Sequence, residues 1–483
     1  MNRLLIANRG EIAVRIIRAA RDLGIETVAV YSDVDRGALH VRLADHKVAL
    51  LGSHARETYL DCDKLVSAAI QSGADAVHPG YGFFSENATF AQRVCEAGLC
   101  FVGPTPETIA LMAAKDEARR RVASFGVPLV PGSDAIVDEK EALRIAAKIG
   151  YPVLVKAAAG GGGRGMRVVE GAEQLVQRLE EARREAEAAF GNDAVFIEKF
   201  IAEPRHIEVQ VFGDRFGNLL HLWERECSVQ RRHQKLVEES PAPNLHPELR
   251  TKILTAALLA AQSVNYLGAG TVEFLVDGGG KTRNSPFYFL EMNTRIQVEH
   301  PVTEMVTGTD LVKLQLQVAR NEPLPFGQED VEIQGHAIEY RVYAEDPQAA
   351  FAPTAGKIRY LSRSFGPGVR EDSWVEAGTK VSTWYDSLLS KLIVYGTTRE
   401  DALARSKRAL DEYLIEGVPT TLEFHRWLLR EPDFIRGMVD VRWIDRHYSG
   451  ETRGPSVVGP LSLGEPIESQ TAAPSSRGKE LRR

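Results

Sequence analysis

The sequence predicts an α/β protein: a parallel-sheet domain, then a larger unit with antiparallel strands, then a smaller mixed α+β domain. Three observations carry this reading. Apolar strand-like runs alternate with amphipathic helical runs over the first hundred residues, which is the pattern of a parallel sheet covered by helices on both faces. The runs around Glu273 and Glu291 are joined by Gly278–Gly280, as in an antiparallel pair. GHAIEYRVYAEDP (Gly335–Pro347) alternates apolar and polar residues, which places Glu339, Arg341 and Tyr343 on one face of a strand.

In chain order, Arg3–Ala7 reads as a buried strand, and Gly10 opens a helix through about Leu23. Thr27–Tyr31 and Ala76–His78 are further strands, with helices over Leu60–Gln71 and Asn87–Glu96 and a strand over Leu99–Val102. His78–Asn87, HPGYGFFSEN, is an exposed-looking loop. Thr108–Phe125 reads as one helix carrying Lys115. Tyr151 opens a strand with Lys156 near its end, followed by GGGGRGMRVV. Four glycines in a row, Gly160–Gly163, cost conformational entropy that packing does not return. Either a linker or a backbone N–H cradle for phosphates fits, and flanking strands with Arg164 and Arg167 nearby favour a cradle that closes like a lid.

Val195–Phe200 brings Glu198 and Lys199 on another strand. Strand-like segments then run to CSVQRRHQKLVEE, with a turn at Gly213–Gly217. Arg231, Arg232, His233 and Lys235 could form a solvated basic face, but they follow an apolar strand directly, which favours anion binding. Leu249–Asn265 and Asp310–Arg320 read as helices, Pro323–Gln328 as a boundary, and Arg399–Leu414 as a helix of the last domain. Beyond Gly450 the chain is Ser-, Pro- and Gly-rich without periodicity, the composition of a disordered tail.

The richest stretch is FLEMNTRIQVEHPVTE, Phe289–Glu304. Carboxylate and amide oxygens there suit a hard cation such as Mg²⁺, and an arginine fork suits a small planar oxyanion. Glu273 and Glu291 on paired strands can hold such a cation together. GGGKT (Gly278–Thr282) is not a Walker loop, because Leu275 stands where the pattern needs Gly. The strand–helix alternation of the first hundred residues lacks GxGxxG, so a dinucleotide site is not supported there. A net charge of −7 over 483 residues argues against a nucleic-acid partner. Four cysteines without zinc spacing point to reduced thiols in a cytoplasm, and no apolar run is long enough to cross a bilayer.

These pieces together resemble the biotin carboxylase component of biotin-dependent carboxylases, a branch of the ATP-grasp superfamily. IANRGEIA, HPGYGFFSEN, KAAAGGGGRGMR, RRHQK, EMNTRIQVEHPVTE, RVYAEDP and WYDSLLSKLI occur in the family's order from about Asn2 to Tyr448. The resemblance implies a Rossmann-like N-terminal domain over residues 1–113 and an ATP-grasp domain over 114–322. That second domain would carry a mobile glycine-rich lid at about 131–203. A C-terminal domain over 330–448 and a tail over 450–483 complete the division.

It also implies the reaction: ATP phosphorylates bicarbonate to carboxyphosphate, and the CO2 released is captured by N1′ of biotin on a carrier protein. Lys115, Lys156, Gly161, Gly162, Gly163, Glu198, Lys199, His206, Gln230 and His233 would hold ATP. Lys235 would touch both phosphate and bicarbonate. Glu273, Glu291 and Asn293 match Mg²⁺ (or Mn²⁺) ligands. Arg295, Gln297 and Glu299 match the bicarbonate site, with Glu299 as base. Arg341 would stabilise the biotin enolate, and Tyr81 and Gly82 lie in the family's biotin pocket. Arg18, Asp22 and Arg370 fall at its homodimer contact. Two departures stand out: the GGGKTRNSP connection is long, and Tyr343 replaces a frequent Asn.

The chain contains no Met-Lys-Met biotinyl motif and no room for a transferase domain. The expectation is therefore a separate subunit needing a biotin carrier and a carboxyltransferase, whose acceptor is an acyl-CoA such as acetyl-CoA or a 2-oxoacid. Two other readings compete: an ATP-grasp ligase joining a carboxylate to an amine, and a nucleotide-sensing scaffold without turnover. EMNTRIQVEHPVTE with RVYAEDP weighs against the first. Retention of Lys235, Glu273, Glu291, Arg295 and Glu299 weighs against the second.

Overall fold

The computed structural model describes residues 1–133, 136, 138–157, 166–190 and 193–450. The glycine loop with Gly161, Gly162 and Gly163, and the tail from 451, lie outside the described residues.

The N-terminal unit is a five-stranded parallel sheet. Its order is His46–Ala49, Glu26–Tyr31, Arg3–Ile6, Ala76–His78, Cys100–Phe101. Ile12, Ile16 and Ile17 of helix Gly10–Asp22 pack on one face, with Leu4 and Ile6. The opposite face meets Leu65 and Val66 of helix Cys62–Gln71 and Phe90 and Val94 of helix Ala88–Glu96. The strands are short and nearly all apolar because both faces are covered. Asp61 and Asn87 cap those two helices through side-chain oxygens, which sets their starts one or two residues later than the apolar pattern suggests.

An eight-stranded antiparallel sheet joins the central and C-terminal units. Its order is Phe287–Asn293, Gly268–Val276, Arg205–Gly213, Leu219–Arg231, Gln234–Ser240, His336–Tyr343, Leu388–Gly396, Val369–Ser373. Strand Gln234–Ser240 pairs with His336–Tyr343 across the boundary between the two units, so the site residues of both lie on one continuous sheet. A separate three-stranded antiparallel sheet, Met166–Val169, Val153–Ala157 and Val195–Lys199, packs under helices Glu139–Ile149 and Ala172–Phe190.

Two expectations change. Thr108–Phe125 is not one helix but two, Pro106–Ala113 and Lys115–Ala123, broken at Ala114 with ψ 88°. No Pro or Gly marks the break, so local propensity could not reveal it. The HPGYG loop is also less exposed than its composition suggests: His78, Pro79 and Gly80 are buried. Asn8 Nδ2 donates to the carbonyls of Pro79 and Tyr81, both at 2.7 Å. Gly80 sits at φ +64°, and a Cβ there would lie 2.9 Å from that amide. Among the described residues no helix is long and apolar enough to cross a membrane.

Candidate active site

Strand register builds the site. Glu291, Glu273, Glu208 and Arg225 are successive register partners on four adjacent strands. Three carboxylates side by side repel one another unless cations intervene. Arg225 supplies one cation from the end of the row, and Lys235 reaches in from the next hairpin. Its turn residues Arg232 and His233 have φ of 50° and 67°. Lys235 Nζ donates to Glu208 at 2.5 Å, Glu273 at 3.1 Å and Glu299 at 2.7 Å. Burial works against its charge, yet these three carboxylates hold its pKa well above the ordinary lysine value.

Arg225 is fully buried and spends all of its N–H groups on acceptors. They are Glu208, Gln210 (2.8 Å), Thr303 (3.0 Å), Thr271 (3.1 Å) and Gln297 (2.8 Å). Gln297 is thereby oriented so that its Nε2 donates to Glu273 at 2.9 Å. Asn293 Nδ2 donates to the same Glu273 oxygen at 2.9 Å, and its Oδ1 accepts from Arg295 at 3.0 Å.

Arg295 is held from the N-terminal unit. Glu86, at the end of HPGYGFFSE, accepts from Arg295 Nε at 2.9 Å and from the Thr294 backbone N–H at 2.9 Å. On the other side, Arg341 Nη2 donates to Glu299 at 2.9 Å, and it also meets Glu238 in an ion pair. Arg341 Nη1 donates to Tyr343 Oη at 3.2 Å, as their shared strand face requires. Glu299 is therefore gripped by one cation from each unit. Burial favours its neutral form, but Lys235, Arg341 and Arg225 overcome this and keep its carboxyl well below the usual range. Glu238 differs: burial raises it to about 7, although Arg341 opposes the shift.

The other expected residues are divided between this sheet, the helix and loops beside it and the separate three-stranded sheet. His206 Nε2 stands 3.0 Å from Glu273, and its Nδ1 faces the Gln230 amide at 3.2 Å. Lys115, at the start of the second half of the broken helix, lies 3.5 Å from Glu291; the lysine is exposed and the glutamate half-buried. In the three-stranded sheet Lys156 donates to Glu198 at 2.5 Å, while Lys199 Nζ donates to the backbone carbonyls of Gly150 and Tyr151. His233 is exposed on the hairpin turn. Half-buried Tyr81 donates its hydroxyl to Glu11, and Gly82 follows it at φ +66°.

The oxygen donors suit a hard divalent cation. Glu273 and Glu291 are direct cross-strand partners, and Asn293 lies two residues further along the same strand. His206, Glu208 and Glu273 also bring ligand atoms within 4.8 Å. Glu208, however, already gives its two oxygens to Arg225 and Lys235.

Sequence reading missed Glu208, Arg225, Glu238 and Glu86. The available signal was His206, Glu208 and Gln210 as three polar residues on one face of RHIEVQV, opposite Arg225 in WEREC.

A sheet lined by buried carboxylates, amides and cations beside a separate three-stranded lobe has the architecture of an ATP-grasp ligase. Residues 1–109 match the family model described as "Biotin carboxylase, N-terminal domain". Residues 114–326 match "Carbamoyl-phosphate synthase L chain, ATP binding domain", and 339–446 match "Biotin carboxylase C-terminal domain". The chain is 51% identical to the biotin carboxylase of Nostoc sp. over 92% of its own length and 98% of that protein. With biotin carboxylase 1 of Bacillus subtilis it shares 50% identity over 92% and 99%. A solved structure, the dimeric biotin carboxylase domain of Hydrogenobacter thermophilus 2-oxoglutarate carboxylase with MgADP, ADP and bicarbonate, aligns with TM-score 0.83 at 45% identity. That alignment covers 92% of this chain and 97% of the other. The chain belongs to the biotin carboxylase family.

Proposed function

We propose that this chain carboxylates N1′ of biotin on a carrier protein at the expense of ATP and bicarbonate. One observation carries the assignment of roles: Glu299, ionised and buried, lies between Lys235 of the central unit and Arg341 of the C-terminal unit.

Bicarbonate replaces part of this ion-pair network, with Arg295 and Gln297 orienting its oxygens and Lys235 shared between it and the γ-phosphate. Glu299 takes the bicarbonate proton as the bicarbonate oxygen attacks the γ-phosphorus and ADP leaves. Carboxyphosphate then separates into CO2 and phosphate. Biotin, held against Tyr81 and Gly82, gives its N1′ proton to the phosphate released from carboxyphosphate and attacks CO2, while Arg341 stabilises the enolate oxygen that develops. Glu273, Glu291 and Asn293 would hold Mg²⁺ or Mn²⁺, which neutralises phosphate charge when bound. Lys115, Lys156, Glu198, Lys199, His206, Gln230 and His233 would hold ATP.

We further infer domains over 1–113, 114–322 and 330–448, a division that the three matched spans support. The carrier and carboxyltransferase would be separate chains, and the working form a homodimer. Arg18, exposed on the first helix, and the strongly exposed Phe365 near Arg370 suit a covered face.

The test is ADP release by the purified chain with MgATP, with and without bicarbonate and free biotin. Release that requires bicarbonate supports the reading, and release that ignores it refutes it.

A further inference from the structure

WYDSLLSKLI carries a buried cation that none of these steps uses. Lys391 lies on strand Leu388–Gly396, and its side chain is fully excluded from solvent. Strand register places it directly between Arg341 on one neighbour and Asp372 on the other. Two cations side by side on a buried face oppose each other, and burying an ammonium is unfavourable unless it is paired. A methionine would fill the same space without that penalty.

The contacts say what the charge is for. Nζ donates to the backbone carbonyl of Val298 at 2.8 Å, the residue immediately before Glu299. It meets Glu11 Oε2 at 3.3 Å and Asp372 at 3.9 Å. The other Glu11 oxygen accepts from Tyr81 Oη. Asp372 is otherwise satisfied by Arg370. One ammonium thus connects the loop that presents Glu299 to the loop that presents Tyr81. Those loops belong to different units and approach each other through few direct bonds, chiefly Glu86 to Thr294 and Arg295.

We propose that Lys391 is a positioning residue for carboxylation: it ties the carbonyl preceding Glu299 to the Glu11–Tyr81 pair, so bicarbonate base and biotin loop keep one fixed spacing. The proposal rests on the biotin carboxylase reading above. It differs from the roles of Glu299 and Tyr81 because Lys391 touches neither substrate.

The experiment is steady-state kinetics of Lys391→Met and Glu11→Gln in the full chain, with ATP, bicarbonate and free biotin varied in turn. A displacement of reacting groups on the order of 1 Å costs about a hundredfold in rate. Lys391→Met is expected to lower kcat/KM for biotin and for bicarbonate by about that factor, while the KM for ATP stays within about twofold. Glu11→Gln keeps the bond to Val298, so it should raise the KM for biotin more than it slows bicarbonate-dependent ATP cleavage. A lysine that only stabilises the fold would move all three substrates together, in step with the folded fraction measured by circular dichroism. That result, or unchanged biotin kinetics in either variant, overturns the proposal. If Lys391→Met does not fold, the split in Glu11→Gln decides alone. A wild-type chain that needs no bicarbonate would instead remove the underlying reading, and this shows before any variant is made.

Discussion

Lys235 donates to Glu299 at 2.7 Å while the same ammonium also holds Glu208 and Glu273. Burial disfavours the charged forms of Glu273 and Glu299, but this ammonium, with His206 beside Glu273 and Arg341 and Arg225 beside Glu299, holds both carboxyls well below the usual range. Lys235→Met leaves them facing each other across a dry sheet, and breaking a buried pair costs roughly 3–5 kcal/mol. The sign follows from protonation. At pH 7 the carboxylates must ionise without their partner, so the loss is present in full. As pH falls below their ordinary value of about 4.5, they protonate and the loss shrinks. Urea unfolding of wild type and variant at pH 7 and pH 4 should show the larger gap at pH 7; an equal gap would contradict this.

Arg225 makes a prediction about shape rather than charge. Its planar fork satisfies five acceptors that a lysine's point charge cannot reach together. Arg225→Lys should therefore lose most of what Arg225→Met loses, about 3 kcal/mol or more in urea unfolding. It should also slow ATP cleavage, because Gln297 is no longer oriented toward Glu273. Wild-type stability in Arg225→Lys would show that charge alone suffices.

Glu239 supplies an acid limb to stability. Burial opposes its ionisation, but Arg399 and His336 overcome this and lower its pKa to about 2, through contacts of 2.7 Å and 2.6 Å. A depressed pKa stabilises the folded state above the unfolded value near 4.5, and that stability is lost as pH falls toward 2. The contribution is about 3 kcal/mol. Glu239→Gln should lower stability at pH 7 and flatten its fall between about pH 5 and pH 2. Denaturant midpoints across that range check it, and a parallel fall in both proteins would refute it.

Much of this site was legible because its motifs are local. The glycine turn at Gly278–Gly280 announced the pairing of Glu273 with Glu291, and simple alternation placed Arg341 beside Tyr343. What stayed hidden was the pairing between strands distant in sequence. Glu208 and Arg225 look like ordinary polar residues of alternating strands, and only sheet register shows them as the middle of a charged row. The break at Ala114 that presents Lys115 beside Glu291 has no sequence marker, since packing rather than propensity decides it. Lys391 was hidden for the same reason: its partners come from three separate units of the chain.

The central claim is that Glu299 serves bicarbonate and Arg341 serves biotin. The structure qualifies their separation, because Arg341 also touches Glu299 at 2.9 Å. Measuring ADP and carboxybiotin in parallel for wild type, Glu299→Gln and Arg341→Ala tests the claim most directly. Glu299→Gln should lose both products together, since without the base no carboxyphosphate forms. Arg341→Ala should lose carboxybiotin by about a hundredfold or more, the typical worth of one oxyanion contact, while ADP formation falls much less. Equal losses of both products in Arg341→Ala would contradict the account.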